Sequence, residues 1–144
     1  MSYLYVKNII QQTFEGLEYD VMFGSGREAD FNQMKNRKYP LAWLDPMVRN
    51  AANPNTFDNS ETWEISIVIL VKADKNDTAS EQNDLVDFSH QIADDFRAAL
   101  DLVEGVEFVN KPKLNPLLRH TFGTDHTSGC ILTFTLAAYD TYTC

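Results

Sequence analysis

Trp63-Glu64-Ile65-Ser66-Ile67-Val68-Ile69-Leu70-Val71 is the stretch that decides the fold. Successive side chains of a strand point to opposite faces, so Trp63, Ile65, Ile67, Ile69 and Val71 form one apolar row. The opposite row starts polar with Glu64 and Ser66 and turns apolar at Val68 and Leu70. That pattern predicts a central strand covered on both sides over its later part. Asp74 to Asp77 turns the chain, and Thr78 with Glu81 three residues on makes a capping box, the mark of a helix start. Asn76-Asp77-Thr78 also spells a glycosylation sequon, but the helix start accounts for the same residues. Leu85, Phe88, Ile92, Phe96, Ala99, Leu100 and Val103 then recur at helical spacing, and Gly105 is placed to serve as the C′ residue. This is the main core-forming helix.

Upstream, Tyr3, Val6, Ile10, Phe14 and Leu17 mark a short N-terminal amphipathic helix ending near Gly16. Tyr19 to Phe23 reads as a strand stopped by Gly24-Ser25-Gly26. Arg27 to Lys38 is polar, with Phe31 and Met34 able to anchor a helical turn. Tyr39-Pro40-Leu41-Ala42-Trp43-Leu44 resumes as a strand closed by Asp45-Pro46, with Pro40 tolerable at its start or on an edge. Met47 to Glu61 lacks apolar periodicity and is expected to be a long polar loop. Downstream, short strands are expected at Val106 to Val109 and Leu117 to Phe122, and a long one at Gly129 to Tyr139, with Cys130, Leu132, Phe134, Leu136 and Ala138 on one face. The whole predicts an α+β domain over residues 1–139: a mostly antiparallel sheet of five to six strands, one long helix and a short N-terminal helix. Residues 140–144 are expected to form a C-terminal arm.

The chain has 144 residues, a formal net charge of -9, and 44% hydrophobic content. A chain of this size buries roughly 68–70% of its unfolded surface, enough for one core without metals or disulfides. Cys130 and Cys144 are expected to stay reduced, because a terminal cysteine anchors a bridge poorly. Lys7, Asn8, Gln11 and Gln12 interrupt the first apolar residues, so no signal segment is expected, and no run approaches the roughly 20 apolar residues of a membrane span. Specific nucleic-acid binding is not expected of an acidic chain without clustered Lys and Arg. The charge is unevenly placed: residues 1–50 carry six basic and six acidic side chains, residues 51–110 three and thirteen, and residues 111–144 three and two.

Catalytic signatures are sparse. His120, His126, Cys130 and Asp125 are metal-capable, but their spacing matches no structural zinc pattern, and neither metal nor cofactor is expected. His120 alternates with Leu118 and Phe122, as a core-edge histidine would. Gly24-Ser25-Gly26 lacks the strand elbow of hydrolases and the Gly-Lys-Ser/Thr ending of a phosphate loop. Asp94 and Asp95 diverge by about 100° around a helix and do not share one site. Glu81, Asp84, Asp87, Asp94 and Asp101 instead line one polar side of the long helix, with Arg97 the only basic residue between Asp77 and Glu104. Such a stripe is either a solvated face or a surface for a partner or a lumen. Arg27, Lys35, Arg37, Lys38 and Arg49 flank the Tyr39 strand, so one molecule presents a basic region and an acidic helix. Two unlike complementary patches suit a head-to-tail interface.

The order of these elements resembles that of small tailed-bacteriophage neck proteins. It runs from the N-terminal helix through Gly24-Ser25-Gly26-Arg27, Asp30-Phe31-Asn32, the Tyr39 to Leu44 strand, a long polar loop and the Trp63 to Val71 strand into the acidic helix, and closes on the strand toward Cys144. The similarity is to tail-terminator, tail-completion and head-to-tail ring proteins. It implies a non-enzymatic virion subunit, assembled in the host cytoplasm into a six- or twelve-fold ring beside portal, neck or tail proteins, with genome DNA free to pass through the lumen and no membrane partner. Tyr139 and Tyr142 of the arm, and Met47, Val48 and Phe57 of the long loop, are the side chains a neighbour would bury. The alternative is a small acidic adaptor or inhibitor that binds a basic DNA-handling partner.

Overall fold

The computed structural model describes residues 2–34, 36–50, 61–122 and 125–138, with the side chains of 118–122 outside the description. In chain order these form α1 (Tyr3–Glu15), β1 (Met22–Ser25), α2 (Glu28–Gln33), β2 (Leu41–Leu44), β3 (Val48–Asn50), β4 (Glu61–Lys72), α3 (Ala79–Asp101), β5 (Val106–Phe108), β6 (Lys113–Phe122) and β7 (Asp125–Ala138). The sheet runs β1-β2-β4-β7-β5, with β3 also on β4 and β6 also on β7.

This sheet has seven strands and is mixed, which corrects the expectation of five to six mostly antiparallel strands. β1 runs parallel to β2, because the chain between them crosses over through α2 instead of turning back in a hairpin. The added strand is β3, whose Val48-Arg49-Asn50 pairs with Glu64 to Thr62 and buries none of its three residues, so no periodicity marks it. β1 also starts later than the sequence suggests. The Tyr19 hydroxyl donates to Asp95 of α3 at 2.8 Å and its ring meets Phe88 edge-on, which draws that residue out of the strand.

β4 behaves as its alternation predicts. Trp63, Ile65, Ile67 and Ile69 are buried on the helix side with Cys130, Leu132, Phe134, Leu136 and Ala138 of β7, the two strands pairing from Glu61 opposite Ala138 to Lys72 opposite Thr127. α1 lays Val6, Ile10 and Phe14 on this face, and α3 lays Ile92, Phe96 and Leu100 beside them. On the other face Val68 and Leu70 form a second core with Leu41, Trp43 and Phe31 of α2. The strand is therefore covered on both sides only where its second row becomes apolar. Gly24 lies under the Trp43 ring, where an added Cβ would fall 2.6 Å from a ring carbon, and Gly26 takes a φ of +126°, which side-chain-bearing residues rarely adopt.

α3 starts at the predicted capping box: Glu81 N–H donates to Thr78 Oγ1 at 3.2 Å, and Thr78 N–H to Glu81 Oε1 at 3.4 Å. Its buried face is rotated from the predicted stripe. Val86, Ser89 and Ala93 are sealed, whereas Leu85, Phe88 and Ala99 are half-buried. Small residues at 89 and 93 let the helix approach β7, and the buried Ser89 hydroxyl is satisfied within the helix by donating to the Val86 carbonyl at 2.6 Å. Gly105 is not the C′ residue, since the cap is Leu102; its φ of +86° serves the turn into β5 instead. β6 and β7 both begin earlier than their apolar runs, with Pro116 accommodated because β6 is an edge strand.

Candidate functional site

The basic segment between β1 and β2 divides into side chains held by the fold and side chains facing solvent. Arg27 opens α2 with its backbone N–H on Asp30 Oδ2 at 2.8 Å, leaving a guanidinium 80% exposed and 4.0 Å from that carboxylate. Arg37 differs. Its Nε lies 3.0 Å from Asp125 Oδ2, its Nη1 donates to the Phe31 carbonyl at 3.2 Å, and its guanidinium sits 4.8 Å above the Phe31 ring. The Tyr39 hydroxyl donates to the same Asp125 oxygen. Burial, and then the hydrogen bond to Asp125, push the Tyr39 phenol well above its ordinary range. Arg37, Asp125 and Tyr39 thus clasp the basic segment to the β6–β7 hairpin, and Arg37 is 15% exposed. Lys38 next to it is exposed, and so is Arg49, which pairs with Glu61 at 2.6 Å. Lys35, Tyr139 and Tyr142 lie outside the described residues, as do Phe57 and the rest of 51–60 and 139–144. Met47, predicted as a side chain for a neighbour to cover, is instead buried in the subunit's own core.

The acidic side chains follow the predicted placement. Glu81, Asp84, Asp87, Asp94 and Asp101 are all exposed on α3, opposite the buried Gln82, Val86, Ser89, Ala93, Phe96 and Leu100. Glu81 is engaged in the capping box and Asp94 lies 3.7 Å from Arg97, both exposed. Asp95, one position round the helix, holds Tyr19.

Three of the recesses among the described residues bear on these charged side chains or on the open face of the sheet. One of about 380 Å³ is lined by Asp20, Met22, Arg37, Lys38, Tyr39 and Lys72. Lys72, at the end of β4, was not legible as a site residue, because only the fold carries it to the basic segment. A second, of about 400 Å³, gathers Asp74, Asp77, Glu81, Asp84 and Leu85 around the same Lys72. The third, about 460 Å³, lies on the uncovered half of the sheet between Val48, Glu64, Ser66, Thr133, Thr135 and Lys113. Tyr3, Leu4, Tyr5, Leu102 and Val109 are exposed apolar side chains elsewhere.

No protein-family model and no curated protein matches this chain. Cys130 is fully buried and its thiol is pushed up to about 11, chiefly by burial, so it stays protonated and inert at neutral pH. Among the described residues no three His, Cys, Asp or Glu side chains cluster as metal ligands would, and no helix is long and apolar enough to cross a membrane. The side chain of His120 falls outside the description.

Proposed function

We propose that this protein is a structural subunit of a tailed-bacteriophage virion, forming a ring at the head–tail junction or the upper end of the tail. The observation that carries the reading is the segregation of charge on one subunit. α3, about 34 Å long for its 23 residues, turns its carboxylates to solvent along its length, while the cations Arg37, Lys38 and Lys72 line one recess that adjoins only the start of the helix. Unlike patches that complement each other across copies generate closed rings when the rotation closes. In this reading the subunit performs no chemistry, is assembled in the host cytoplasm, and contacts further copies together with neck, portal or tail proteins, leaving the lumen open for genome DNA. The same acidic stripe also suits a monomeric adaptor or inhibitor of a basic DNA-handling protein. Native mass spectrometry and negative-stain microscopy separate the two. A closed ring of six or twelve copies supports the virion reading; a monomer at every concentration refutes it and favours the adaptor.

A further inference from the structure

We infer that the recess lined by Asp20, Met22, Lys38, Tyr39 and Lys72 is the basic half of the contact between subunits, and that it receives Asp94 and Asp101 of the next copy's α3. The inference rests on the ring reading and deepens it by naming the cations and carboxylates that meet. Among the described residues neither Lys38 nor Lys72 has an ion-pair partner, whereas Arg37, which lines the same recess, is already held by Asp125. Within the lining of this recess two free ammonium groups thus outnumber the carboxylate of Asp20, although Lys72 also borders the acidic recess at the start of α3. Met22 and Tyr39 add apolar surface to the lining.

The choice of the far half of α3 follows from where Lys72 stands. It also borders the acidic recess of Asp74, Asp77, Glu81 and Asp84, so the start of α3 lies beside the basic recess of its own subunit. A contact through that adjacent pair of patches is reciprocal about a two-fold axis and closes with two copies. Asp101 lies about 25 Å beyond Asp84 along the helix axis. Pairing the basic recess with that distant end joins two unlike surfaces, which is the heterologous contact that builds rings. The exposed Asp94–Arg97 pair at 3.7 Å is weak enough to exchange Arg97 for the lysines of a neighbour.

The test uses two variants of the full chain, Lys38→Glu with Lys72→Glu, and Asp94→Lys with Asp101→Lys, each checked for native circular dichroism and melting. Analytical ultracentrifugation near physiological salt should show wild-type protein as a closed oligomer of more than two copies. Each variant alone should dissociate about tenfold more readily, as expected when a few exposed pairs are turned from attraction to repulsion. An equimolar mixture should reassemble, because the reversed recess of one variant accepts the reversed helix of the other. If one variant does not fold, the other alone decides. A variant with the wild-type oligomer, or a mixture that stays dissociated, overturns this pairing and leaves the ring reading standing. Wild-type protein that is monomeric throughout, or that stops at a dimer, overturns both.

Discussion

Phe14 of α1 stacks on Phe96 of α3, with ring centroids 4.1 Å apart and planes 10° from parallel. Both rings are fully buried, and Phe96 also meets Phe134 of β7, which in turn meets Phe108 of β5 edge-on at 5.2 Å. The aromatic chain joins α1 and α3 to the β5 edge of the sheet on the same face. Phe96→Ala should therefore cost about 3–5 kcal/mol, a large share of what a domain this size has. Phe14→Ala should be similar, and the double variant should be less than additive, since each single change already breaks the stack. Urea titration measures all three; a Phe96→Ala protein melting within about a degree of wild type would mean the helix packs elsewhere.

Gly129 and Gly16 should respond in opposite ways to alanine. A Cβ at Gly129 would fall 1.8 Å from the Ile69 carbonyl oxygen, inside the β4–β7 pairing, and the atoms it would meet are all backbone of Ile69 and Leu70, which cannot swing aside as a side chain would. Gly129→Ala should yield insoluble or unfolded protein. Gly16 caps α1 with φ near −81°, and its Cβ would meet only the Gln12 and Thr13 carbonyl oxygens, at 3.4 and 3.7 Å. Gly16→Ala should be neutral or stabilise by up to about 1 kcal/mol through the unfolded chain. Expression and thermal melting of the pair decide it, and a soluble, stable Gly129→Ala protein would mean that the central strands are not registered as described.

Alkaline stability should carry the signature of two buried acids. The Tyr39 phenol is raised from 10.0 in the fold, and the Cys130 thiol is raised from 9.0 to about 11. Each is held neutral by the native state, so its contribution is complete below its unfolded value and is lost as pH climbs toward the folded one. Stability should begin to fall above about pH 9, through Cys130, and fall more steeply above pH 10, where Tyr39 joins. Cys130→Ala should flatten the first part and Tyr39→Phe the second. Chemical denaturation at a series of pH values would detect this, and slopes unchanged in both variants would contradict it.

What the sequence revealed and what it hid follow from the range of the forces involved. β4 and α3 were legible because alternation, capping box and helical stripe are local patterns, and Thr78 with Glu81 satisfies its helix end without help from elsewhere. The parallel pairing of β1 with β2 was not, because it depends on a crossover, and neither was β3, whose exposed residues bear no periodic mark. At the candidate site the acidic stripe was visible as helical spacing. The division of the basic segment was not: Arg37 and Lys38 are adjacent in sequence, yet one is drawn inward by Asp125 from a hairpin far along the chain and the other is left outside.

That division gives the last prediction, which separates folding from assembly at neighbouring positions. Arg37 and Asp125 are 15% and 29% exposed, so removing the guanidinium leaves a half-buried carboxylate with the Tyr39 hydroxyl as donor but no cation, and takes one of two donors from the Phe31 carbonyl, which keeps the Met34 N–H. Arg37→Ala should cost about 1–3 kcal/mol of subunit stability. Lys38 is exposed, its backbone N–H lies 3.2 Å from Met22 Sδ, and among the described residues its ammonium has no ion-pair partner, so Lys38→Ala should leave the stability of the subunit within about 0.5 kcal/mol of wild type. Asp125→Asn tests the clasp from its other side, because it removes the charge while keeping a hydrogen-bond acceptor for Tyr39. Its loss should lie between those of the other two variants. Urea unfolding at low protein concentration gives each value without assembly intruding. Equal stability in Arg37→Ala and Lys38→Ala would show that the clasp does not hold the basic segment, and the distinction between an inward arginine and an outward lysine would fail with it.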